Sequence, residues 1–195
     1  MVKHEQSEWL FAVDDFLPDV DVVFDVVKNS PYSNTEYIGK KFTGVGTCPL
    51  PVKPLMEDIL GHKIAVSVGI LRKGDSTLPV THYIHADNYD ATGVMVLYFN
   101  EPSYETGTAF WRHKETGLTR LPDDASDEMF AYLTEEIKKV DNWEMVNYVP
   151  VKKNRAVFFD SKMFHSRWPE HLPHESLNDP RYNMVISYHP LPEAA

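Results

Sequence analysis

From Lys63 onward the apolar positions recur at every second residue. The segments KIAVSVGILRK (63–73), VTHYIHAD (80–87), TGVMVLYFN (92–100) and TAFWRHK (108–114) alternate in this way or run almost wholly apolar, and Gly, Pro, Asn or Asp bound them. A period of two between turn residues predicts β-strands. The same pattern returns in EMVNYVPV (144–151), NRAVFFD (154–160) and RYNMVISYH (181–189). Between them, ASDEMFAYLTEEIKKV (125–140) spaces its apolar residues as a helix does. Asp124 or Ser126 can cap its start, and Lys138 and Lys139 suit its C-terminal end.

The first part of the chain reads differently. Residues 9–17 (WLFAVDDFL) predict a strand running into a turn, and Pro18 and Asp19 open a helix with Val20, Val23, Phe24 and Val27 at helical spacing. The stretch from Asn29 to Pro51 is rich in Gly, Ser, Thr, Asn and Pro and predicts a long loop. Pro54 suits a first helical turn, Leu55, Met56, Ile59 and Leu60 give that helix an apolar face, and Gly61 ends it. Roughly seven or eight strands after two helices predict a mainly β fold with flanking helices. A double-stranded β-helix of the jelly-roll, cupin-like kind fits best. Residues 1–195 then make a single domain, with helical support over 1–62 and the jelly-roll core over 63–190.

Composition narrows the class. The 195 residues are 43% hydrophobic and 25% charged, a globular balance that can bury a core without disulfides. Cys48 is the only cysteine, so no intramolecular disulfide and no Cys-based zinc or iron–sulfur site forms, and a reducing, cytoplasmic location is expected. The polar N-terminus does not read as a signal peptide, and no apolar stretch is long enough to span a bilayer. A net charge of −10 disfavours long nucleic acid as a partner and leaves a small-molecule or residue-sized substrate.

The candidate chemistry lies in His85-Ala86-Asp87, which closes the predicted strand VTHYIHAD. Residues two apart on a strand share a face, so one imidazole and one carboxylate can reach the same metal. His165, in FFDSKMFHSRW, supplies a third ligand. Two histidines and a carboxylate form the facial triad of non-haem Fe(II) oxygenases, which leaves positions open for other ligands. His62, His82, His113, His171, His174 and His189 have no carboxylate at useful spacing or lie in a Pro-rich loop, and read as solvated or hydrogen-bonded.

In this order the motifs resemble the prolyl-4-hydroxylase-like branch of 2-oxoglutarate/Fe(II)-dependent oxygenases, in a short bacterial or phage-type form. The resemblance covers roughly residues 64–190. It rests on HAD (85–87), VMVLYFNEPSYETGTAFWRH (94–113), NRAVFFDSKMFHSRWPE (154–170) and DPRYNMVISYH (179–189). It departs at Thr106-Gly107-Thr108, where the family usually has Gly-Gly, and in a longer gap between His165 and Arg181. The resemblance implies a hydroxylase with Fe(II), O2 and 2-oxoglutarate, releasing succinate and CO2, and it admits ascorbate. His85, Asp87 and His165 would be both metal ligands and catalytic residues.

The resemblance places a cation for the distal 2-oxoglutarate carboxylate at the start of the last strand, where Arg181 stands. A guanidinium suits a carboxylate because its fork donates two parallel hydrogen bonds. If Arg181 points inward, so do Asn183, Val185 and Ser187, which makes Ser187 a further cosubstrate contact. Tyr83, two before His85, is a second donor. Arg167 is the rival cation, expected in a Pro-rich loop, and the loop 166–180 is a candidate substrate cover. Two other readings stay open: a cupin-like metal-binding isomerase or 2-oxoglutarate-independent dioxygenase, and a binding module that has lost activity.

Overall fold

The computed structural model describes residues 9–37, 40–47, 51–78, 83–87 and 91–192. Cys48, His82 and the first residues of VTHYIHAD lie outside them. The chain begins with β1 (Leu10–Val13), α1 (Val20–Lys28), β2 (Ser33–Tyr37), β3 (Lys40–Thr47) and α2 (Lys53–Leu60). It continues with β4 (Ile64–Gly74), β5 (Gly93–Tyr98), β6 (Gly107–His113) and α3 (Asp127–Glu136). The last strands are β7 (Trp143–Pro150), β8 (Arg155–Asp160), β9 (His165–Trp168) and β10 (Arg181–Pro190).

Local chemistry accounts for the helix boundaries. The Asp19 side chain accepts the Val22 amide at the start of α1, and that of Ser126 accepts the Met129 amide at the start of α3. Pro stands in the first turn of α2, and Gly61 ends that helix at φ 73°, a left-handed position glycine takes without strain. Lys138 and Lys139 fall just beyond α3 rather than in its last turn.

The strands form two antiparallel sheets. The larger has the order β1-β8-β5-β10-β4-β3-β2 and the smaller β7-β6-β9. The arrangement is a mainly β jelly-roll fold with flanking helices, as the alternation predicts. Two segments differ from that prediction. Residues 33–47 hold a hairpin, β2 with β3, which joins the large sheet through β4. Its Gly and Thr content resembles a loop because an edge hairpin has no apolar row to display. Strand β1 pairs with β8, so the first 62 residues contribute strands to the large sheet as well as two helices.

Three apolar layers follow. Val27 of α1 and Met56 of α2 are fully buried against Met95, Leu97, Phe158, Met184 and Ile186 on the outer face of the large sheet. Val94, Val96, Tyr98, Val157, Phe159 and Phe110 fill the space between the sheets. Trp111, Ala109, Trp143 and Leu133 form a third cluster on the far side of the small sheet, under α3. Strand β5 is buried along its whole length, which explains why GVMVLY reads as a continuous apolar run. No helix among the described residues is long and apolar enough to cross a membrane.

Candidate metal centre

Residues 83–87 do not form a regular strand. Only His85 makes a bridge, and it is to His165. The His85 amide donates to the His165 carbonyl at 3.0 Å, and the His165 amide returns the bond at 2.8 Å. The Asp87 amide donates to the Ser161 carbonyl at 2.8 Å. Three backbone bonds therefore hold the H-x-D segment against the chain that carries the distal histidine. Strand alternation alone, the basis of the expectation, is not what brings the ligands together.

The side chains of His85, Asp87 and His165 converge, with one ligand atom from each lying within 4.8 Å of the others. Asp87 Oδ1 is 3.8 Å from His85 Nε2, and Asp87 Oδ2 is 3.7 Å from His165 Nε2. Each imidazole places Nδ1 against a backbone carbonyl, His85 on Tyr83 at 3.2 Å and His165 on Met163 at 2.9 Å. A carbonyl only accepts, so Nδ1 donates to it and Nε2 is the ring atom turned toward the shared point. Two imidazoles and one carboxylate around a point fit a divalent iron. The rings of Phe159 and Phe110 lie 4.7 and 6.4 Å from that of His165, so its inward side is dry and aromatic.

The turn that supplies the Met163 carbonyl is pinned by charges the sequence reading missed. Arg120 Nη2 lies 3.0 Å from Asp160 Oδ2 and 3.1 Å from Asp123 Oδ1, and Arg120 and Asp160 are both buried. Lys162 binds Asp123 at 2.7 Å. Arg120 also faces Met163 in an isolated bridge. Asp160, Ser161 and Met163 belong to the FFDSKMFH segment, but nothing local in the sequence ties Arg120 to it. His113, read as solvated or hydrogen-bonded with no carboxylate at useful spacing, is buried and faces Glu136 at 3.4 Å, a carboxylate that α3 brings from far along the chain.

The expected cosubstrate residues separate. Arg181 opens β10 and is buried, and Val185 on the same row packs between the sheets, so the Arg181, Asn183, Val185, Ser187 row faces inward. Arg181 Nη1 donates to the Gly107 carbonyl at 2.9 Å and reaches Thr106 Oγ1 at 3.3 Å. Its guanidinium lies 5.3 Å from the centre of the Tyr98 ring. It makes no ion pair among the described residues. The Tyr104 hydroxyl, close enough to feel the Arg181 charge, is buried without a hydrogen-bond partner, and burial pushes it up to about 12. Ser187 is buried on the inward row as expected.

Tyr83 does not join them. Residues 83 and 84 are bent rather than extended, so Tyr83 does not share a strand face with His85. Its ring packs edge-on against Trp111 at 5.9 Å, in the cluster on the far side of the small sheet. Arg167 also moves: it stands on β9, not in a loop. It pairs with Thr108 as His165 pairs with Phe110, so Arg167 and His165 face the same way. Its Nη2 donates to the Glu170 carbonyl at 2.7 Å. Burial, and after it the charge of Arg181, hold the Arg167 guanidinium below its ordinary value. The segment beyond β9 is strapped down rather than loose. Leu172 and Ser176 are buried, Asp179 accepts the Ser103 amide at 2.6 Å, and Asn100 donates to the Pro180 carbonyl at 2.9 Å.

The family whose model matches residues 1–170 is described as a family of unknown function, DUF6445. No curated protein matches the chain. Among solved structures, the chain is similar to AviO1 from Streptomyces viridochromogenes Tue57, with a TM-score of 0.55, 14% identity, and coverage of 96% of this chain and 92% of that one. It is similar to HygX from Streptomyces hygroscopicus with iron bound, at 0.54 and 9% identity, covering 97% and 87%. It is also similar to EvdMO1, at 0.54 and 15% identity, where 93% of this chain spans 45% of that one. Identities this low carry the fold and not the activity.

Proposed function

The chain belongs to the DUF6445 family, and for it we propose a non-haem Fe(II), 2-oxoglutarate-dependent dioxygenase that oxidises a C–H bond of a small or residue-sized substrate. What carries this reading is one juxtaposition. Two imidazoles and one carboxylate converge beside the Phe110 and Phe159 rings, and a buried arginine with no ion pair among the described residues stands on the inward face of the last strand. The similarity to HygX, whose structure holds iron, is in keeping with it.

His85, Asp87 and His165 would hold the iron. Arg181 would hold the distal carboxylate of 2-oxoglutarate, with the orphaned Tyr104 hydroxyl as a neutral donor beside it. A buried guanidinium without a carboxylate costs several kcal/mol, so a dicarboxylate satisfies a charge the fold leaves open. When bound, the iron would activate O2 with 2-oxoglutarate as co-reductant, one oxygen atom ending in succinate with release of CO2 and the other serving to oxidise the substrate. The protein's own part is to fix the two imidazoles through the Tyr83 and Met163 carbonyls and to keep water from the His165 side with Phe110 and Phe159.

The test is substrate-free turnover, followed as succinate release. The reading predicts release that needs both Fe(II) and 2-oxoglutarate. Iron binding without affinity for 2-oxoglutarate would point to a cupin-like metal protein instead, and absence of iron binding to a fold that has lost its chemistry.

A further inference from the structure

We propose that Arg167 receives an oxyanion of the substrate, so that the substrate of this site is a small molecule carrying a carboxylate or phosphate. The inference rests on the oxygenase reading above and adds the substrate class to it. Arg167 faces the same way as His165 and stands two residues further along β9, which is about 6.6–6.8 Å of strand. Its neighbour across the sheet is Thr108, which is buried and binds the Tyr98 hydroxyl at 2.6 Å between the sheets. Arg181 is held by the carbonyl of Gly107, the residue next to Thr108. The two guanidinium groups therefore flank the same end of β6.

Neither makes an ion pair among the described residues. Glu170 gives Arg167 its backbone carbonyl, and its carboxylate acts on the guanidinium only from beyond ion-pair distance. Charge counting then decides the substrate class. Iron with Asp87 leaves one positive charge, which the chelating carboxylate of 2-oxoglutarate cancels, and Arg181 cancels the distal carboxylate. The Arg167 charge remains, half-buried, on the strand face that also carries His165. A neutral substrate would leave it uncompensated, and an anion would satisfy it with two parallel hydrogen bonds. The overall charge of −10 argues that the anion is small, since a long polyanion meets net repulsion from the rest of the chain.

The experiment uses the Fe(II)-loaded protein without oxygen, saturated with N-oxalylglycine as an unreactive stand-in for 2-oxoglutarate. Acetate and inorganic phosphate are then titrated separately by calorimetry, which also tells the carboxylate from the phosphate. One of the two should bind saturably. Arg167→Gln should weaken that binding by about tenfold or more and N-oxalylglycine by less than about threefold, as the loss of one charge-assisted pair at one site implies. Arg112→Gln, at an exposed pair with Glu144, should change neither. No saturable oxyanion binding in the wild type overturns the inference. So does an Arg167→Gln variant that loses N-oxalylglycine, which would assign Arg167 to the cosubstrate. Failure of N-oxalylglycine to bind the wild type is a different result and strikes the oxygenase reading; the same oxyanion titrations without it then still decide whether Arg167 binds one.

Discussion

Each proposed metal-binding histidine is fixed twice, by a backbone bridge and by a carbonyl on Nδ1, so its position does not depend on a bound metal. Arg181 is fixed on one side only, through Thr106 and Gly107, and its charge is uncompensated. Arg181→Ala should therefore raise the apparent dissociation constant for 2-oxoglutarate by about 10² to 10³, from the roughly 3–4 kcal/mol of a broken buried charge pair. Fe(II) binding should survive. Equilibrium dialysis with both ligands checks this, and an unchanged 2-oxoglutarate affinity moves the role to Arg167. The convergence of His85, Asp87 and His165 and the inward place of Arg181 were legible in the sequence from residue type and order. The place of Tyr83 was not, because period-two reasoning fails where the backbone bends. Arg167 was misplaced because β9 has only four residues and ends at Trp168, just before Pro169, which reads as loop.

At the scale of elements, α3 carries the clearest dependence on pH. Glu136 ends it, buried, where Lys139 first, then Asn142 and His113 hold its carboxyl down to about 2 despite the cost of burial. The folded value lies below the ordinary 4.5, so this contribution is complete above about pH 4.5 and is lost as the pH falls toward 2. Glu136→Gln should lower the denaturation midpoint at about pH 6 and make the further loss between about pH 4.5 and 2 shallower than in the wild type. Parallel slopes in urea titrations of the two proteins would remove Glu136 from the acid response. The partnership of His113 with Glu136 escaped the sequence reading because α3 inserts the carboxylate from 23 residues away. The helix itself was plain from its spacing and the Ser126 cap. The β2–β3 hairpin escaped for the opposite reason: its backbone pairing leaves no apolar signature.

Across the whole molecule, α1 and α2 cover the outer face of the large sheet and α3 covers the far side of the small one. The apolar rows of β5, β8 and β10 predicted the jelly-roll fold. What the sequence could not supply is the brace under the site, Arg120 to Asp160, because a pair between distant loops has no spacing to read. The central claim is that iron and 2-oxoglutarate meet at His85, Asp87 and His165. The most direct measurement is the visible charge-transfer band of an Fe(II)–2-oxoglutarate chelate, recorded without oxygen on the wild type and on His165→Ala. The account predicts that the band appears on adding 2-oxoglutarate to the Fe(II)-loaded wild type and is lost in the variant. A wild type that binds iron and shows no band, or a variant that keeps it at full strength, would contradict the account.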